Sequence, residues 1–377
     1  MSRVLAGGTA LLFLIGGGAF EASTTNGAVA SVSDPISGNV SSGTAPAAGS
    51  VQVLASRHHR HKKHHHKHRR HHRHHKHVKR HARGGGSIYG GTTGRWGGSV
   101  PVGSRAAVNA AYWHSYAPGL NVPTGYSGNE SRCIAGGVSG ASLTATRNAI
   151  NFVRSLSGLA PISFNSALNY RSQQTALMMS ANKAVSHAPS RSWRCYTSTG
   201  AANAARSNLA LAYPKITSAG VVGLYMQDPG GNNYGVGHRR WLLNPFATSM
   251  GSGSTNVANA ITVIGPSSSA RPNPAFVSWP SAGYFPSTIE PSGRWSLSAG
   301  NRGVSFARST VAVYRNGHRI SASKLRVENG YAQPTMAFNI PASQARSGAY
   351  TVVVRGIRAG SHWYTHTYHV SMFTPSH

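Results

Sequence analysis

Two histidines in the middle of the chain stand where they could do chemistry. They are His187, in AVSHAPSRSWRCYT, and His238, in GNNYGVGHRRWLLNP at residues 231–245. Two imidazoles with an acidic group and an open water position make a chemically reasonable zinc site. Spacing and composition alone favour reading each histidine as a packed or surface residue. Between residues 101 and 270 the only carboxylates are Glu130 and Asp228. A glycosidase working with paired carboxylates would need both of them, converging to about 5 to 9.5 Å. Glu130 sits in a Gly/Ser/Asn loop with no supporting signal, which argues against that chemistry. His-Glu-x-x-His, EF-hand, P-loop and Gly-x-Ser-x-Gly motifs are all missing. The two cysteines of the chain, Cys133 and Cys195, are expected to bridge in an exported protein. That pairing removes Cys195 as a nucleophile.

Elements must carry these residues. SLTATRNAINFVRSLSG spaces Leu143, Ile150, Val153 and Leu156 for a helix that stops at Gly158. Asn165 is a plausible N-cap for a second helix carrying Leu168, Ala176, Leu177 and Met179 to about Lys183. Ile216, Val222, Leu224 and Tyr225 predict a third helix, ended by Asp228-Pro229-Gly230-Gly231, and a short helical segment begins near His238. ANAITVIG, residues 258–265, reads as a buried strand. Helices flanking strands predict layered α/β packing for residues 101–270. Past residue 271, STVAVYR, AYTVVVR and YTHTYHV are β-rich, and Asn316-Gly317 is a hairpin signal. Residues 271–377 are therefore expected to form a β-sandwich of immunoglobulin or fibronectin type, with scaffold or spacer preferred over a binding face as its role.

The N-terminal part reads differently. Residues 1–30, opening MSRVLAGGTALLFLIGGGAFEA and closing on Ala28-Val29-Ala30, suit a cleaved secretory signal, with a retained anchor as the alternative. Residues 31–100 are expected to be a disordered linker. Within it, every residue of 57–83 is His, Lys or Arg apart from Val78 and Ala82. The whole chain carries 37 Lys+Arg against 6 Asp+Glu, a field that draws anionic partners. The run reads as an adhesive for anionic cell-wall or membrane-surface polymers, as a solvated spacer, or as a metal scavenger. Nucleic acid would bind it only non-specifically.

In combination the motifs are more telling. TRNAINFVRSLSGLAPISFNSALNYRSQQTALMM, SHAP, the SNL of 207–209, GVGHRRWLLNP and MGSG follow one another in an order that resembles a CAP domain, the fold of cysteine-rich secretory, venom-antigen and pathogenesis-related proteins, in its bacterial secreted branch. The resemblance implies an α-β-α sandwich inside an α+β chain, with a central cleft across which His187 and His238 face each other and can hold a divalent metal, zinc being the best match. Where many relatives have Gly-Glu-Asn, this chain has Arg206-Ser207-Asn208. A cleft glutamate is thus missing, and Ser207 can bond a water but not act as base. Ser207, Asn208 and Asp228 remain candidate ligand-binding residues; Asp228 is also the candidate catalytic residue, orienting a water, or else only caps the turn before Pro229. Trp241 to Leu243 could line a groove for a small lipid-like ligand or belong to the core. The expected protein is secreted or surface-bound, with non-catalytic binding preferred over a zinc-dependent hydrolase.

Overall fold

The computed structural model describes residues 99–327 and 330–377, and these fall in one compact unit. The expected signal or anchor and the basic run 57–83 lie outside the described residues. Among the described residues no helix is long and apolar enough to cross a membrane.

The first helix, α1 (Arg105–Ala111), is capped by the Ser104 hydroxyl and runs into a π-helical turn at Tyr112–Tyr116. Helix α2 (Gly140–Leu156) starts at Ser139, whose hydroxyl accepts from the Ser142 N–H, and buries Ile150, Val153 and Leu156 at the expected spacing. Strand β1 (Ser163–Phe164) leads to α3 (Ser166–Ala181). Asn165 is its N-cap and accepts from the Leu168 N–H at 3.1 Å; the helix ends two residues short of Lys183, which turns left-handed at φ 48°. Then come α4 (Ser198–Ala204), β2 (Ser207–Leu211), α5 (Ser218–Gln227), α6 (Gly237–Leu242), β3 (Ser249–Ser254) and β4 (Ala258–Thr262).

Strands β1 to β4 form one sheet in the order β1-β3-β4-β2, with β1 parallel to β3 and the other pairs antiparallel. Alternate residues serve opposite faces. Leu209, Leu211, Ala258 and Ala260 cluster with Ala176, Met178 and Met179 of α3, whereas Ala210 and Ile261 join Ile150 and Val153 of α2 and Val222 and Tyr225 of α5. Helices thus cover both faces of the sheet. Sequence reasoning assigned no strand to β2 or β3, since SNLAL and SMGSGS are buried at every position and do not alternate in polarity. Glycine has a steric reason in β3. A Cβ on Gly253 would lie 2.2 Å from the Gln173 backbone nitrogen, so α3 lies directly on the strand.

The remaining strands are β5 (Phe276–Trp279), β6 (Gly283–Pro286), β7 (Arg294–Ala299), β8 (Val304–Ser305), β9 (Thr310–Arg315), β10 (His318–Ile320), β11 (Ser323–Lys324), β12 (Thr335–Asn339), β13 (Gly348–Ala359) and β14 (His362–Phe373). One sheet runs β10-β9-β13-β14-β6, with β8 also on β13; the other runs β11-β12-β7-β5. The three β-rich segments named from sequence lie in β9, β13 and β14. Asn316-Gly317 closes the β9–β10 hairpin with both residues at positive φ, as a two-residue turn requires. Trp295 of one sheet packs edge-on against Tyr350 of the other at 5.1 Å. The chain is a mixed α+β protein with a strand-rich C-terminal region.

Candidate functional site

Helix α5 ends in a strained turn. Asp228, its C-cap, adopts left-handed φ 50°, a conformation aspartate tolerates better than most residues. Eight residues on, Val236 enters α6 at φ 46°, an outlier for a β-branched side chain, and is fully buried. Between them the chain doubles back, so His238 in the first turn of α6 meets Asp228: His238 Nδ1 to Asp228 Oδ1 is 2.7 Å, with side chains 2 % and 0 % exposed. The other carboxylate oxygen accepts the Arg239 backbone N–H at 3.2 Å. An ionised carboxylate only accepts, so Nδ1 of His238 carries the proton. Nε2 is buried and has no hydrogen-bond partner among the described residues. Tyr225 stacks on the imidazole at 5.2 Å; burial raises its phenol well above the ordinary range, and its hydroxyl donates to Asn259.

His187 and His238 line the same cleft, together with Ser207, Asn208, Trp241 and Tyr331. The cleft holds a cavity of about 30 Å³, room for a water or an ion and well below the usual size of small-molecule sites. His187 Nδ1 bonds the Ala204 carbonyl at 2.8 Å, so in both histidines Nδ1 is the protonated nitrogen and Nε2 keeps its lone pair. Ser207 exchanges hydrogen bonds with Asn203, donating to its carbonyl at 2.8 Å and accepting from its side-chain amide at 3.0 Å. The Asn208 amide donates to the His238 carbonyl at 3.0 Å and so braces α6. Asp228 stands behind His238, bonded to its Nδ1, and is not among the residues that line the cleft. Glu130 lies elsewhere, accepting from the Ser180 hydroxyl at 2.6 Å beside the Cys133–Cys195 disulfide.

The donor set fits a divalent metal in part. Two imidazoles with anchored Nδ1 atoms suit zinc, but no group of three or more metal-ligating side chains occurs among the described residues. Further ligands would come from solvent or from a bound molecule. Of the apolar run after His238, Leu242 and Leu243 are core, and only Trp241 reaches the cleft.

Arg239 and Arg240 were assigned no role from sequence, yet both are almost wholly buried. Arg239 donates to the Met226, Gln227 and Arg294 carbonyls and to Ser296, and pairs with Glu290 at 3.1 Å. Burial lowers the Arg239 pKa and raises that of Glu290, each against the pull of its partner. Arg240 donates to the Tyr331 and Gln333 carbonyls and lies 3.9 Å over the Tyr331 ring. Their adjacency to His238 was the available signal; the Glu290, Tyr331 and Gln333 acceptors, 51 to 93 residues away, were not visible in sequence.

Residues 147–264 match the model of the CAP, or cysteine-rich secretory protein, family. No curated protein matches the chain significantly. Among solved structures, PcoC, a methionine-rich copper resistance protein from Escherichia coli, is similar at 19 % identity and TM-score 0.20, covering 26 % of this chain and 93 % of that one.

Proposed function

The chain carries a CAP domain over residues 147–264, and on that premise we propose a secreted, envelope-associated protein whose cleft binds a divalent metal through His187 and His238. One observation carries it: the buried Nε2 of His238, without a hydrogen-bond partner, on a residue that lines the same cleft as His187. The buried Asp228 behind Nδ1 is the carboxylate–histidine arrangement that fixes the ring for metal binding. Zinc suits the two nitrogens, and the remaining coordination positions take water or a small wall-derived or amphipathic ligand held against Trp241 and Tyr331. The Cys133–Cys195 disulfide fits an oxidising, extracytoplasmic location. The polycationic run 57–83 would tether the protein to anionic wall or membrane polymers, and the two C-terminal sheets would form an immunoglobulin- or fibronectin-like sandwich.

A metal-assisted hydrolase is the second reading, favoured by the Asp228–His238 pair, in which Nε2 could take a proton from a cleft water. Binding is preferred because the described cleft lining offers no carboxylate to serve as base, and the Ser207 hydroxyl is engaged by Asn203. Zinc stoichiometry on residues 97–377, free of the histidine-rich run, tests both. About one zinc in the wild type and none in His187→Ala or His238→Ala supports the metal cleft. No zinc in the wild type sinks it, and the hydrolase with it.

A further inference from the structure

Three non-glycine residues near the cleft adopt left-handed backbone conformations: Asp228, Val236 and Ala332. Such residues persist only where the surroundings hold them. Two of the three sit in turns clamped by an arginine distant in sequence. Arg294, the first residue of β7, sends Nη1 to the Asp228 carbonyl and to the Gly230 carbonyl, both at 2.7 Å. Arg240 of α6 sends Nη2 to the Tyr331 carbonyl at 2.6 Å and to the Gln333 carbonyl at 2.7 Å, bracketing Ala332. The clamps are reciprocal. The strand-rich region grips the turn that brings Asp228 to His238, and the CAP domain grips the turn that brings Tyr331 to the cleft.

Tyr331 is 8 % exposed, lies under the Arg240 guanidinium and stacks with Trp241 at 6.4 Å, so the outer wall of the cleft has one aromatic ring from each region. Arg239 ties the two together a second time through Glu290 and Ser296, directly beside His238.

We propose that the cleft is built jointly by the CAP domain and the strand-rich region: Arg294 and Arg240 are positioning residues that hold the strained turns of Asp228 and Tyr331, and Tyr331 is the wall residue that limits access to His238. The region after residue 271 is then part of the binding site and not a spacer. This rests on the cleft being the binding site, but not on its ligand being a metal.

The test uses the full-length, disulfide-intact chain and the proton on His238 Nδ1. Held by a buried carboxylate at 2.7 Å, that proton exchanges slowly with water and gives a downfield proton NMR signal, identified by its loss in His238→Gln. Arg294→Met is expected to abolish the signal or speed its exchange by about tenfold or more, with partial recovery in Arg294→Lys. Tyr331→Ala and Arg240→Met should speed exchange while leaving the signal in place, because they open the cleft and leave the Asp228 turn intact. Should Arg294→Met fail to fold, Arg294→Lys and Tyr331→Ala carry the test. Wild-type exchange in the folded variants would overturn the proposal and reduce the contact to simple docking. Adding zinc to the wild type, in excess of what the histidine-rich run can hold, separates the two ideas: a signal indifferent to zinc removes the metal reading and leaves the joint cleft standing, whereas a zinc response with unaffected variants does the reverse.

Discussion

At the scale of single residues, the chemistry of the cleft depends on which nitrogen of His238 faces it. The Asp228 carboxylate decides that, and a metal bound at Nε2 would feel its loss without touching it. Asp228→Asn is expected to weaken zinc binding about 10- to 100-fold while leaving His187 in place, as isothermal titration on residues 97–377 would read. A second titrating group lies in the strand-rich region. His366 packs against Phe276 at 4.4 Å, and its burial lowers its pKa below the ordinary 6.5. A depressed histidine favours folding only while neutral, so its contribution is present above 6.5 and is lost as pH falls through that value towards the folded pKa. Thermal melts at stepped pH should show a shallower acid decline in His366→Gln than in the wild type; equal slopes would assign the effect to other groups.

Among elements, β3 and α6 are the ones on which the site depends. Strand β3 carries glycine at 251 and 253 because α3 presses on it there too closely for any side chain. Gly253→Ala would drive a methyl into the α3 backbone and is expected to cost about 1–3 kcal/mol or more, visible as a lowered denaturation midpoint. Helix α6 is short, and neighbours hold both its ends. Arg154 of α2, fully buried, donates to the Leu242 and Asn244 carbonyls at its C-terminus, and burial, aided by Arg271, lowers its pKa to about 9. Arg239 holds the other side through Glu290. Glu290→Ala leaves that guanidinium buried without its carboxylate, at an expected cost of about 3–5 kcal/mol in urea unfolding, whereas an apolar replacement of both partners could be nearly neutral.

For the whole molecule, stability and the proposed attachment draw on different parts of the chain. The Cys133–Cys195 bridge closes a separation of 62 residues, and a loop of that size restricts the unfolded chain by about 4 kcal/mol. Reduction should lower the melting temperature without moving the Asp228–His238 contact, which lies in other loops. Attachment is expected to depend on 57–83: deleting that run should release the protein from anionic vesicles or wall fragments at low salt, and added salt should do the same to the intact chain. Retention of the deleted form would move adhesion to the folded part.

What this sequence determined by itself is local or patterned. Apolar spacing marked α2 and α3, Asn165 marked a cap, Asn316-Gly317 marked a hairpin, and the order of SHAP, SNL, GVGHRRWLLNP and MGSG marked the CAP domain. Each of these signals is written within a few residues, or in an order along the chain, and so survives without coordinates. The tertiary structure alone decided what Asp228, Arg239, Arg240, Arg294 and Tyr331 do. A buried arginine is chemically the same letter as a solvated one, and only the fold shows which distant carbonyls it reaches. Left-handed backbone at Asp228, Val236 and Ala332 is likewise imposed by packing, against the preference of the residues themselves.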